Sequence, residues 1–262
     1  MPSPLIEGRP RSFPIPTRMP TPTRFGNLGG GMADLVQDLT TQRIQADAPC
    51  HLDPDLDAST LPRLDGWRGA LGQVSAAQSH LANNGVGPGD VFLFWGLFRS
   101  IFRKSDGRWA YTGPREHRIF GWLQVDEVIL VGSSPDPTLA RYPWLASHPH
   151  LAAGWSSDNT VYVGRRTLSL PGARSDVPGF GVMRRGVPLT RPESRLPSVW
   201  DLPSWFNPHV GGVGLTYHPL HRWSADGHLR AAARGQEFVA DLGDRVDAID
   251  WLVQVIEREA KA

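Results

Sequence analysis

HRIFGWLQVDEVILV (His117–Val131) decides the fold. A strand turns successive side chains to opposite faces. Here Ile119, Gly121, Leu123, Val125, Ile129 and Val131 form one face, interrupted only by Glu127. The other face begins Phe120, Trp122, Gln124, Asp126. This alternation predicts a long strand with one core face, the other offering two aromatics, an amide and an acid. Upstream, VFLFWGLF (Val91–Phe98) is dense in β-branched and aromatic residues and reads as a buried strand. The turn residues Ser105-Asp106-Gly107 lie between the two and predict a hairpin.

Helices frame this pair. Residues 32–44 place Leu35, Val36 and Leu39 on one helical face, and residues 66–84 align Trp67, Leu71, Val74 and Leu81. Residues 245–260 align Val246, Ile249, Val253 and Ile256, with Asp244 suited to the N-cap. Short strands are expected at 159–163, 179–183, 215–218 and 236–242, an irregular stretch over 133–158, and a proline-framed turn over 197–208. The fold class is α+β: a curved, mainly antiparallel sheet or small barrel flanked by two or three helices. Residues 1–31, with seven prolines before the Gly29-Gly30-Gly31 break, form an extended segment. Residues 32–262 form one domain.

Glycine (28) and proline (24) make up about a fifth of the 262 residues, which excludes a helical bundle. A single cysteine, Cys50, excludes an intrachain disulfide and a Cys-rich zinc site. The net charge of +1 gives no strong global field toward nucleic acid or membrane. No secretory signal and no apolar run of spanning length is present, so a soluble, cytoplasmic protein with no membrane partner is expected. Of the 27 basic residues only Lys104 and Lys261 are lysines. Arginine excess follows from a GC-rich genome or from recognition of phosphate or carboxylate.

Several ordered segments resemble one family. They are PSPLIEGRPRSFPIP (2–16), HLDPDLD (51–57), LGQVSAAQSHLANNGVGPGDVFLFWGLFR (71–99), HRIFGWLQVDEVI (117–129), HPH (148–150), NTVYVG (159–164), the Trp200 to Phe206 segment, LTYH (215–218) and GQEFV (235–239). Together they are similar to the third numbered class of nucleotide-modification-associated domains, over roughly residues 2–241. The resemblance implies a prokaryotic or phage protein of a DNA base-modification system; this sequence departs from the family, whose chains carry a further short strand ahead of the Pro-Ser-Pro, where this one reads Met1-Pro2-Ser3-Pro4. It brings no catalytic residues with it. A shorter pattern, Gly89-Asp90 before an aromatic strand and then Ile119-Phe120-Gly121, resembles PUA-like barrel domains, which include readers of modified bases.

Three constellations carry chemistry. Trp122 and Gln124, with Trp95 on the neighbouring strand, supply a stacking surface and a base-reading amide for a flipped nucleotide. Arg99 and Arg118 would steady its backbone; Arg103 and Arg115 share the same sheet end. The alternative is that both sheet faces are covered and Trp122 is core. Second, His51, Asp53, Asp55 and Asp57 alternate along an extended loop that suits a hard divalent cation, a turn or a helix cap. No bound cofactor is expected, and arginine or backbone amides are the expected partners of the loop. If a divalent metal is held, the ligands are Asp53, Asp55, His148 and His150. Third, His51, Asp53, Asp55, His218 and Glu237 are the candidates for acid–base work.

The leading functional expectation is recognition of a modified nucleotide or DNA in the aromatic pocket. The alternatives are a nucleotide- or DNA-modifying transferase or hydrolase built on the His51 loop, and a non-catalytic interaction subunit that works with other DNA-modification proteins.

Overall fold

The computed structural model describes residues 1–19, 21–232 and 237–260. Its strands in chain order are β1 (Ser3–Ile6), β2 (Arg9–Pro10), β3 (Ile15–Pro16), β4 (Cys50–His51), β5 (Ala70–Gln73), β6 (Val91–Arg103), β7 (Trp109–Leu130), β8 (Thr160–Gly164), β9 (Phe180–Pro188), β10 (Val199–Asp201) and β11 (His228–Arg230). The helices are α1 (Met32–Leu39), α2 (Ser75–Asn83), α3 (Asp136–Arg141) and α4 (Val246–Ala260). The class is α+β, as expected.

The expected hairpin is the centre of the sheet: β6 and β7 pair antiparallel over nearly their whole length. The sheet runs β2-β1-β6-β7-β8-β5, with β9 also on β7. It is open, so the barrel alternative does not hold. Among the described residues only β1 against β6 is parallel, and that pairing brings the proline-rich start of the chain into the main sheet.

The predicted alternation along β7 is broken by bulges, at Phe120 and again at Asp126 where β7 turns from β9 to β8, and the first of these decides which residues share a face. Phe94 pairs with Gly121 and Trp95 with Ile119, which leaves Phe120 as an extra, bulged residue. Ile119 and Trp122 therefore join one cluster while Leu123 and Val125 join another. Helix α4 and the aromatics Trp200, Trp205 and Phe206 pack into the first cluster; Leu56, Leu71 and Leu81 pack into the second. Residues 119–125 are buried on both faces.

The expected helix over 66–84 begins only at Ser75. Residues 70–73 pair with β8 instead, because Gly69 and Gly72 weaken a helix and permit close approach in a strand. Any Cβ on Gly69 would meet the Phe180 ring at 2.5 Å. Residues 215–218 form a turn, and 237–242 have no strand; Gln236 lies outside the described residues.

Candidate metal centre

Strand β4 carries His51, and Asp53 follows in extended chain. β4 is held by β3, with Ile15 opposite His51. A 3-10 turn at Pro149–Leu151 carries His150, with His148 at its N-cap. These two segments, remote in sequence, meet at one carboxylate. Asp53 Oδ2 lies 3.3 Å from His150 Nε2 and 3.9 Å from His51 Nε2, and Asp53 Oδ1 lies 3.6 Å from His148 Nε2. Of the residues named for a divalent metal, Asp53, His148 and His150 are thus brought together. A contact between segments distant along the chain leaves no local sequence signal.

Each member is fixed by its neighbours. The Gly72 N–H donates to both Asp53 oxygens, at 3.0 and 3.2 Å. Gly72 must be glycine: a Cβ there would sit 2.1 Å from the His150 ring. His150 Nδ1 lies 2.6 Å from Asn159 Oδ1, so Nδ1 donates and Nε2 faces Asp53 without a proton when the ring is neutral. The Trp155 ring stacks on His150 at 4.2 Å, and His51 stacks at 5.3 Å.

The electrostatics favour a cation. Burial alone would raise the Asp53 carboxyl, but hydrogen bonds and charge from His148 and His150 in their protonated forms more than reverse this and hold it well below the usual carboxylate range; with His150 Nε2 bare, a cation would take the place of that proton. Burial lowers the His51 pKa, against the opposing pull of Asp53. Two buried ring nitrogens, His51 Nε2 and His148 Nε2, have no hydrogen-bond partner among the described residues. Orphaned buried polar atoms cost about 1–3 kcal/mol each. Ligand atoms of His51, Asp53 and His150 lie within 4.8 Å of one another. Ligands about 2.1 Å from one ion at tetrahedral or octahedral angles are about 3.0–3.4 Å apart, so the Asp53–His150 spacing already fits.

The three carboxylates of the loop do not converge. Asp55 makes a two-pronged ion pair with Arg63, at 2.5 and 2.7 Å, and Arg63 stacks on Trp67. Asp57 accepts from the Ser59 N–H and hydroxyl. Arginine and backbone amides do partner this loop, as expected, and both Asp55 oxygens are taken by Arg63. With two imidazoles and one carboxylate, the donor set suits a transition metal better than a hard cation such as magnesium or calcium.

The aromatic constellation is corrected. Trp122 and Gln124 are each 1% exposed and line no concavity. Trp122 donates to the Pro178 carbonyl and lies against Gly181. Gln124 donates to the Gly89 and Ser169 carbonyls and accepts from the Ser169 N–H. The bulge and the cover of α4 turn this face into core. Trp95 packs between Trp200 and Phe238. Arg118 is bound to Glu116 and the Arg185 carbonyl, and Arg99 to the Gly113 carbonyl.

His218 and Glu237 stay outside the cluster. His218 donates from Nδ1 to the Thr216 carbonyl and accepts at Nε2 from the Ala232 N–H, and burial lowers its pKa. Glu237 accepts from Gln73. Sequence reasoning missed Gly72, Asn159 and Trp155. The one available signal was the Gly69, Gly72 pair inside a stretch read as helix.

The family model for nucleotide modification associated domain 3 matches residues 1–241. No curated protein and no solved structure matches the chain.

Proposed function

The chain belongs to the nucleotide modification associated domain 3 family, and from that premise we propose that it is a metal-dependent enzyme acting on a nucleotide in a modification system. The observation that carries this reading is the convergence of His51, Asp53 and His150, with His148 behind them, around two buried ring nitrogens that have no partner. His51, Asp53 and His150 would hold the ion. His148 would position Asp53, because its Nδ1 faces the His150 N–H and its Nε2 faces the carboxylate. A transition metal held by three protein ligands keeps open positions. When bound, such an ion would supply Lewis acidity toward a phosphoryl or carbonyl oxygen, or a water made nucleophilic at neutral pH. Hydrolysis or group transfer at the nucleotide is the reaction class. Recognition without chemistry loses its support with the burial of Trp122 and Gln124.

Elemental analysis of the purified protein and of His51→Ala and Asp53→Asn tests the reading, together with a turnover screen over nucleotides. The expected result is one equivalent of zinc, iron or a similar metal, lost in both variants along with turnover. A metal-free protein that does not take up these ions would overturn it.

A further inference from the structure

The hairpin arm formed by the end of β6 and the start of β7 is not used by the metal centre. Residues 99–115 carry five basic side chains, Arg99, Arg103, Lys104, Arg108 and Arg115, and one acid, Asp106, in a chain of net charge +1. Asp106 is taken by Arg108. Arg99 and Arg115 stand directly opposite each other across the ladder. Like charges so placed destabilise a sheet unless something anionic lies between them. Among the described residues, Arg99, Arg103 and Arg115 have no ion pair; Asp38, the nearby acid on α1, accepts from the Trp109 N–H. Aromatics interleave with the cations. The Arg103 guanidinium lies 4.4 Å over the Trp109 ring, Arg99 lies 5.6 Å over Tyr111, and Phe102 is 47% exposed.

The arm is also connected to the site. Ile101, Trp109 and Tyr111 pack with Leu39 and Phe13; Phe13 also packs into the cluster that holds Cys50. Ile15, two residues on, pairs with His51. An open groove lined by Phe13, Ile15, Leu39 and Arg43 lies along this stretch.

We propose that the arm of residues 99–115 binds the backbone of a single-stranded polynucleotide, with Arg99, Arg103 and Arg115 on its phosphates and Phe102, on the other face of β6, free to stack on a base of a strand that passes the arm's edge. This deepens the nucleotide reading above and rests on it: the substrate is a nucleotide within a strand. Guanidinium groups match phosphate geometry, and aromatic stacking tolerates any base. Three contacts are too few to hold duplex tightly, in keeping with the near-neutral charge.

The test is binding of a fluorescein-labelled oligothymidylate of about twelve nucleotides to the full chain across a salt series. Three single-strand phosphate contacts predict a roughly 20-fold loss of affinity between about 50 and 200 mM salt. Replacing Arg99, Arg103 and Arg115 together by alanine should remove most of the affinity and flatten the salt dependence. The triple lysine variant should keep the salt dependence, and Arg115→Glu alone should weaken binding; these two decide the matter if the alanine variant does not fold. No binding by the wild type, or equal binding of wild type and alanine variant, would overturn the proposal. So would thymidine monophosphate binding as tightly as the oligonucleotide. Metal content is measured on the same preparations. Metal without oligonucleotide binding refutes the arm alone, and arginine-dependent binding without metal refutes the metal reading alone.

Discussion

Asn159 and His150 grip each other twice: the ring Nδ1 meets the amide oxygen at 2.6 Å, and the amide Nδ2 donates to the His150 carbonyl at 2.8 Å. This pairing leaves Nε2 as the bare nitrogen toward Asp53. Asn159→Leu should therefore weaken metal binding by about 10- to 100-fold, the usual penalty for losing an outer-shell partner. Asn159→Asp, which keeps the acceptor, should be milder. Chelator competition reads the difference, and unchanged affinity in the leucine variant would rule out the tautomer argument.

Gly72→Ala should damage fold and site at once. The new methyl meets the His150 ring at 2.1 Å, and that ring is clamped between Trp155 and Asn159 and has nowhere to go. The expected cost is about 1–3 kcal/mol of overpacking strain, with loss of bound metal from the protein that still folds. Urea denaturation and elemental analysis check both halves.

Arg63→Met should destabilise by about 3–5 kcal/mol, because it strands the buried Asp55 carboxylate. The double variant with Asp55→Asn should recover part of this. Neither should change metal content per folded molecule, since Asp55 faces Arg63. Metal loss in the double variant would place Asp55 among the ligands after all.

Gln124→Ala should cost about 3 kcal/mol or more, since it leaves two carbonyls and one N–H without partners in the core. Oligonucleotide binding by the folded fraction should be untouched. A selective loss of nucleotide binding with unaltered stability would restore the residue to the site.

His117 predicts a pH dependence. Burial lowers its pKa to about 4, and its Nδ1 accepts from the Trp200 indole at 2.9 Å. The unfolded histidine titrates near 6.5, so between that pH and about 4 the unfolded state binds more protons than the folded one. Stability should fall as pH drops through this window, by up to about 2 kcal/mol after allowance for the ring's partial exposure. His117→Gln should flatten melting temperature against pH in the same range. An unchanged slope in that variant would assign the effect to other groups.

The hairpin was legible because an aromatic run, a turn and an alternating strand lie consecutively in the chain. The covered second face was not, because the Phe120 bulge arises from cross-strand register with Trp95 and not from anything local to residues 117–131. The candidate site was half legible. His51, Asp53, His148 and His150 stood out by residue type and spacing. Their meeting depends on β5 pairing with β8, which brings Gly72 up to Asp53 and Asn159 up to His150. Asp55 misled, since even spacing suggested a shared direction while its partner Arg63 lay eight residues ahead. Asn159 looked like the ordinary first residue of a strand.

The approach of His150 to Asp53 closes a loop of about 100 residues within a chain that has only one cysteine to staple anything shut. The centre therefore requires the chain from β4 through β8 to be folded, and a nascent chain short of β8 cannot assemble it. An ion bound there cross-links the two arms of that loop, so occupancy and global stability rise and fall together. Chelation would loosen the entire molecule, from the N-terminal strands to the sheet's far edge.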